Sequence, residues 1–317
     1  MKLIAFNHHS RAKSFPIKFD LPNWHLVKFE KDKQYDADVY WQLNVQGRFK
    51  KIDHAFAYID STNKPKLVCE STPFRKNSYI EGNINSWRYR VGWEHFLNTG
   101  KFYNSNSPSD RWEKLCKDQK IKVKPYTQGE YILICLQNRR DTTLNSLYDE
   151  WNTYEEWFND LISNIRKYSD RKIVVRPHLT TGPWAAQNIA KRNDPSIELS
   201  KTFKNRRQHE GGKGLEAEIL NSQVVLGYNT NALVEAVCLG KPVIALSKES
   251  MTWDISDTLK NLESLNYQIN RTQWLYDMAY TQWTLDEIAN GTAWEHLKQG
   301  YIHGFTQNYV KVKHPWN

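Results

Sequence analysis

"VVLGYNTNALVEAVCLGKPVIAL", residues 224–246, decides how the chain is to be read. A β-branched run ends in the polar turn Tyr228-Asn229-Thr230-Asn231. The chain resumes as the helical "NALVEAVCLG" and finishes in a second apolar run, "KPVIALS". Strand, short turn, helix and strand at this spacing form a βαβ unit with its two strands parallel.

The same rhythm runs upstream. "YILICLQ" (131–137) reads as a buried strand. "LYDEWNTYEEWFNDLISNIRKYS" (147–169) reads as a helix with Trp151, Tyr154, Phe158, Leu161, Ile162 and Ile165 at helical spacing. "KIVVRPH" is the next strand, followed by a loop and the helix "GLEAEILNS". The expected order from residue 131 is β-α-β-α-β-α-β, a doubly wound parallel sheet. Towards the amino terminus "KLIAF", "HLVKF", "ADVYWQL", "HAFAYI" and "PKLVCES" read as short strands of a smaller α/β layer. Residues 75–120 read as loops and short helices, "IKVKPYTQGE" (121–130) as a linker, and "TLDEIANGTAWEHLKQGYI" as helical. The expected domains are 1–128 and 129–300, with 301–317 returning to the first.

The chain has 317 residues, enough for two cores. No apolar run of about 18 residues predicts a membrane span, and the first residues lack the pattern of a signal peptide. The expected location is the cytoplasm. Cys69, Cys116, Cys135 and Cys238 are far apart and mostly in apolar runs, which predicts buried free thiols. Net charge is +9, unevenly spread: residues 1–128 hold 23 Lys and Arg against 13 Asp and Glu, and residues 129–317 hold 21 against 22. A basic half predicts a polyanionic partner, although the same charge also serves solubility.

In a parallel sheet ligands gather at the carboxyl ends of the strands, near helix N-termini. Three loops qualify. Residues 137–143 offer Arg139, Arg140 and Asp141, residues 176–182 offer Arg176 and His178, and residues 227–232 offer Asn229, Thr230 and Asn231. Free backbone N–H groups and the helix dipole at Asn231 favour an anion, though Thr and Asn are also ordinary helix caps. Glu235, one turn further along the helix, suits the two hydroxyls of a ribose, and Lys213 in "HEGGKGLEAE" is placed to approach phosphates. Neither a G-x-x-x-x-G-K-[ST] nor a G-x-G-x-x-G motif after a strand is present, which disfavours the usual kinases and nicotinamide enzymes.

"RPH" closing a strand, followed by strand, "NTNALVEA" and "GKPVIAL", resembles the carboxyl-terminal half of GT-B glycosyltransferases, most of all bacterial capsule-type transferases. The resemblance covers about residues 131–247. It implies a GT-B-like α/β fold of two Rossmann-like domains facing across a cleft. It also implies a nucleotide-sugar donor, UDP-linked in preference to CMP-linked, with no other cofactor, its phosphate or phosphates held by His178, Thr230 and Asn231 and its ribose by Glu235. The chain departs from the capsule enzymes in having Asn-Thr-Asn where serines are usual.

In the first half, "AYIDSTNKPKLVCESTPFR" and "WRYRVGWEHFLNTGKFYN" are similar to phage-encoded glycosyltransferases that modify hydroxymethylated pyrimidines in DNA. This implies a DNA acceptor in a phage-infected bacterium, in agreement with the basic half. Arg75, Arg88, Arg90 and Arg111, interleaved with Trp87 and Trp93, are the residues expected to hold backbone phosphates and stack on bases, unless they form a packed loop region. Sugar transfer, if it inverts the anomeric carbon, calls for a base near the acceptor hydroxyl, and the sequence leaves inverting and retaining transfer both open. The candidates are Glu70, Asp53 and Asp60, with Glu70 first because it ends the buried strand "KLVCE". Basic and neutral donors around the phosphates can replace a metal, so metal-independent transfer is expected. Two rivals stay open: a capsule or cell-surface polysaccharide transferase, and a non-catalytic nucleic-acid-binding protein.

Overall fold

The computed structural model of the chain describes residues 1–6, 21–43, 50–74, 88–203 and 213–304, with the side chains of 43, 50–53, 71, 213 and 301 left out. The chain opens with strands β1 (Leu3–Phe6), β2 (Trp24–Val27) and β3 (Val39–Leu43), helix α1 (Lys50–Ser61), strands β4 (Lys66–Ser71) and β5 (Arg88–Trp93), and helix α2 (Asp110–Gln119). A second series follows: β6 (Tyr131–Cys135), a 3-10 helix (Thr142–Asp149), α3 (Tyr154–Arg166), β7 (Ile173–Arg176), α4 (Gly182–Arg192) and β8 (Ile197–Leu199). It continues with α5 (Lys213–Asn221), β9 (Ser222–Gly227), α6 (Asn231–Cys238) and β10 (Val243–Ala245). The last elements are α7 (Thr272–Ala279), β11 (Gln282–Thr284), α8 (Leu285–Ala289), α9 (Thr292–Leu297) and α10 (Gln299–His303). No helix of the described residues is long and apolar enough to cross a membrane.

Two compact units result, Met1–Lys120 with Thr272–Asn308 and Ile121–Arg271. Both are α/β, as expected. The first is a six-stranded sheet in the order β11-β5-β4-β3-β1-β2, parallel from β2 to β4, with β5 and β11 antiparallel. The two-residue period of the strands splits their side chains between two cores. Ile4, Phe6 and Tyr40 meet Ala55, Phe56 and Ile59 of α1. Leu3, Trp41, Leu67 and Trp93 meet Trp283, Leu285, Ile288, Trp294 and Leu297 from the far end of the chain. That second core explains why the return to the first unit starts at Thr272, ahead of the expected residue 301: without β11 and the helices after it, this face of the sheet would lie open to water.

Three further corrections concern elements. "HAFAYI" lies within α1, not a strand; its Ala55, Phe56 and Ile59 bury one helical stripe. The stretch read as loops holds strand β5, buried along its whole length. Between β7 and α5 the chain inserts a further helix and strand, α4 and β8. The second sheet is therefore five-stranded and wholly parallel, in the order β10-β9-β6-β7-β8. Counted from β6, this is the 3-2-1-4-5 arrangement of a Rossmann sheet, with its topological switch point between β6 and β9.

The expected linker is built into the second unit. Lys241, wholly buried, donates to the carbonyls of Thr127 and Gln128 at 3.0 Å each. Arg271 donates to the carbonyls of Val237 and Lys124 and lies over the Tyr126 ring. Gly240, at φ +76°, passes so close that a side-chain carbon there would meet the Pro125 carbonyl at 2.0 Å. Cys69, Cys135 and Cys238 are buried free thiols and Cys116 is half-buried.

Candidate functional site

At the switch point the last residues of β6 and β9 lie side by side. The turn 228–231 is folded tightly onto the strand end, because Gly227 has no side chain: a carbon there would meet Thr230 Cγ2 at 2.5 Å. Thr230 caps α6, its hydroxyl accepting from Ala232 N–H at 3.3 Å and its carbonyl from Leu233 N–H at 3.1 Å. Asn231, the first residue of the helix, is half-buried, and its amide is among those a helix leaves without an intrahelical acceptor.

Asn229 behaves differently from its neighbours. It is 4% exposed, and its polar groups are turned into the protein. Its backbone N–H donates to Gln137 Oε1 (3.0 Å), its Oδ1 accepts from Gln137 Nε2 (2.7 Å), and its Nδ2 donates to the Thr143 carbonyl (2.6 Å). The expected phosphate donor is thus a strut between two loops. A polar residue ending the apolar run "YILICLQ" was the available signal for its partner, Gln137.

The loop after β6 carries Arg139 and Arg140, both exposed. Arg139 stacks over Trp184 with 5.2 Å between guanidinium and ring, and its carbonyl accepts from Tyr148. Asp141 caps the 3-10 helix, accepting from Thr143 N–H and Oγ1 at 3.1 and 2.9 Å. At the end of β7 the half-buried His178 accepts the Thr180 N–H at Nδ1, so the neutral ring carries its proton on Nε2. Arg176 is drawn away from this role. Its guanidinium donates to Glu218 (2.6 Å), Thr202 (2.7 Å) and Ser200 (3.1 Å), and the Glu218 side chain is 7% exposed. Glu235 is exposed one turn into α6, and Lys213 begins α5.

Sequence reasoning missed Glu249, in the loop after β10. It is half-buried and interacts with the Ser146 hydroxyl and the Asn229 side chain. Burial raises its carboxyl above the ordinary value, with Asp149 adding to the rise, while Ser146, Lys248 and Asn229 oppose it. Beside it the Tyr228 hydroxyl, pushed up to about 12 by burial, lies 3.0 Å from Ser146 Oγ. The second unit therefore gathers two exposed guanidiniums, a histidine, a helix N-terminus and the carboxylates of Asp141, Glu235 and Glu249 at the carboxyl ends of its strands.

The first unit turns four of the residues expected to meet DNA into its own interior. Arg88 is 3% exposed and pairs with Asp118 and Glu287. Arg90 is 2% exposed, donates to the Phe96 carbonyl (2.6 Å) and stacks on Phe102. Arg111 forks onto Glu287 at 3.0 and 3.1 Å and lies 4.0 Å over Trp283. Trp93 is 1% exposed and donates to the Leu297 carbonyl. These are structural residues, and Arg75 and Trp87 lie outside the described residues. The charge contrast also shrinks. With its acidic carboxyl-terminal elements the first unit holds 22 Lys and Arg against 17 Asp and Glu, and Ile121–Arg271 holds 20 against 18.

Of the candidate bases, Asp60 sits at the end of α1 and pairs with Lys66, at the amino end of β4. It is thus at the wrong end of the sheet, because α1 runs back against the strands. Glu70 is half-buried near the carboxyl end of β4, opposite Arg90 of β5. Asp53 lies in α1, where its side chain is not described.

No protein-family model matches the sequence, nor does any curated protein. Solved structures similar to the chain include the β-Kdo 2,4 transferase and the β-Kdo 2,7 transferase of Thermosulfurimonas dismutans KpsC. Their TM-scores are 0.48 and 0.49, at 13% and 12% identity. The matches cover 88% and 94% of this chain and 90% and 99% of those chains. S. aureus MnaA in its UDP co-structure is more distant, with TM-score 0.31 and 12% identity, over 100% of this chain and 94% of that one. At these scores and identities none of them transfers an activity to this chain.

Proposed function

We propose that the chain is a glycosyltransferase of the GT-B type that takes its sugar from a nucleotide-sugar, UDP-linked by preference. The observation that carries this reading is the Rossmann switch point between β6 and β9, where the N-terminus of α6 and the cations Arg139 and Arg140 stand at the carboxyl ends of adjacent strands. The donor's phosphates belong there, with His178 donating from Nε2 and Glu235 accepting from the ribose. In an inverting transfer, a base takes the proton of the acceptor hydroxyl while its oxygen bonds to the anomeric carbon. The bond from that carbon to the phosphate oxygen breaks, and the electron pair leaves with the nucleotide, stabilised by the cations and helix N–H groups. Activity is expected to persist in EDTA.

Two acceptors are to be weighed. A hydroxymethylated pyrimidine in phage DNA is supported by the sequence resemblance and a modest positive charge. A saccharide, as in capsule-type transfer, is favoured by the burial of Arg88, Arg90, Arg111 and Trp93. The test has two stages. Thermal shift against a nucleotide panel should show stabilisation by UDP that falls in His178→Ala and Glu235→Ala; unchanged stabilisation in both variants refutes the placement. The protein is then incubated with UDP-sugars and either hydroxymethylcytosine DNA or oligosaccharides, and the products are weighed by mass spectrometry. A sugar on the nucleoside establishes the DNA acceptor, and a sugar on the oligosaccharide establishes the other. A chain that binds DNA but neither binds nor hydrolyses any nucleotide-sugar is the non-catalytic rival.

A further inference from the structure

We infer that Gln137 is a positioning residue for the nucleotide site, its amide locking the turn before α6 to the loop that carries Arg139 and Arg140. This inference rests on the nucleotide-sugar reading above. Gln137 and Asn229 are 9% and 4% exposed and stand 92 positions apart in sequence. They join through a reciprocal pair of hydrogen bonds, Asn229 N–H to Gln137 Oε1 and Gln137 Nε2 to Asn229 Oδ1. Gln137 Nε2 also donates to Thr143 Oγ1 at 3.1 Å, and Asn229 Nδ2 to the Thr143 carbonyl. Thr143 is in turn held by Asp141.

This clamp has one register. Turning the Gln137 amide over would set Oε1 against Asn229 Oδ1 and Nε2 against the Asn229 N–H. Turning the Asn229 amide over would set its oxygen against the Thr143 carbonyl. Each misfit strands a buried polar group, which costs more than the bond it replaces is worth. One buried network therefore joins the turn before α6 to the loop from which Arg139 and Arg140 project. Its far side is tied down where Tyr148 donates to the Arg139 carbonyl. A phosphate group seated at α6 and reached by the arginines needs both loops in this relation.

Gln137→Glu tests the inference, because a carboxylate can accept from the Asn229 N–H but cannot donate to Asn229 Oδ1. UDP affinity is measured by calorimetry at pH 8 and pH 5.5, beside the wild type under the same conditions. Asp141 and Arg139 on its own loop, Tyr148 and Asp149 of the 3-10 helix, Tyr154 on α3 and Glu249 surround the clamp, and the wild-type comparison removes the titration they contribute. At pH 8 the variant should bind UDP about tenfold more weakly than wild type. On acidification the protonated carboxyl restores one of the two donations the amide made, and the deficit should shrink to about threefold. Gln137→Leu, which offers neither donor nor acceptor, should stay weak at both pH values. Thr143→Val, a milder change that removes one hydroxyl of the network, should fold and bind about threefold more weakly. Wild-type UDP affinity in all three variants, whatever their melting temperatures, overturns the positioning role and leaves the nucleotide reading standing. A wild-type chain that binds no nucleotide overturns that reading, and this inference with it.

Discussion

Arg139 and Arg140 follow the end of a parallel strand and are exposed, whereas Arg88 and Arg90 lie within an antiparallel strand and are 3% and 2% exposed. Both pairs are arginines close together in sequence, Arg88 and Arg90 among the aromatic residues of "WRYRVGW" and Arg139 and Arg140 between Asn138 and Asp141. Their surroundings differ because of where the strand ends. Past β6 the chain leaves the sheet, so the long Arg139 side chain reaches solvent with its guanidinium over the Trp184 ring. Inside β5 both faces are covered, by α2 and α7 and by elements from the far end of the chain, and a guanidinium there survives only with partners. Asp118, Glu287, the Phe96 carbonyl and the Phe102 ring supply them. A basic cluster thus becomes a binding surface or an internal tie according to its position on a strand.

The largest effect that can break this contrast is on stability. Arg88→Ala leaves the mostly buried Glu287 and its neighbour Asp118 without a shared cation, and should cost about 3 kcal/mol by urea unfolding. Arg139→Ala and Arg140→Ala should each change stability by less than about 0.5 kcal/mol while weakening UDP binding. An Arg88→Ala protein as stable as wild type would return β5 to the list of binding surfaces. The next effect concerns the turn. Gly227→Ala drives a methyl into Thr230 Cγ2 and should cost about 2 kcal/mol. Thr230→Ser removes that methyl, keeps the cap, and should recover part of the loss in the double variant.

A smaller effect sharpens the buried side of the comparison. Burial pushes the Glu287 carboxyl up, but the Arg111 hydrogen bonds and charge outweigh it, helped by the Thr284 N–H and Arg88, and hold it below its ordinary 4.5. A carboxyl depressed in the folded state stabilises fully above the unfolded pKa and loses that contribution as pH falls through the folded one. The unfolding midpoint should therefore fall from about pH 4.5 downward, and in Glu287→Gln that part of the acid dependence should vanish. At Thr230→Ala, loss of the α6 cap should cost about 1 kcal/mol or less, measured by urea unfolding.

The sequence by itself was enough for whatever depends on neighbours within a few residues. The apolar runs at 131–137, 173–176 and 224–227 mark the strands of the parallel sheet, and "YNTN" marks the start of α6, because strand burial and helix capping are local. "HAFAYI" shows the limit of that reading, since a short run of this composition suits a helix as readily as a strand, and only the packing of Ala55, Phe56 and Ile59 against Ile4, Phe6 and Tyr40 decides. Tertiary structure alone settled the partners that come from far along the chain. It brought β11 to β5, which turned three arginines and Trp93 inward, and it made Asn229 a strut by setting Gln137 beside it. Pairing across such separations depends on which faces of two sheets must be covered, and no short stretch of sequence holds that information.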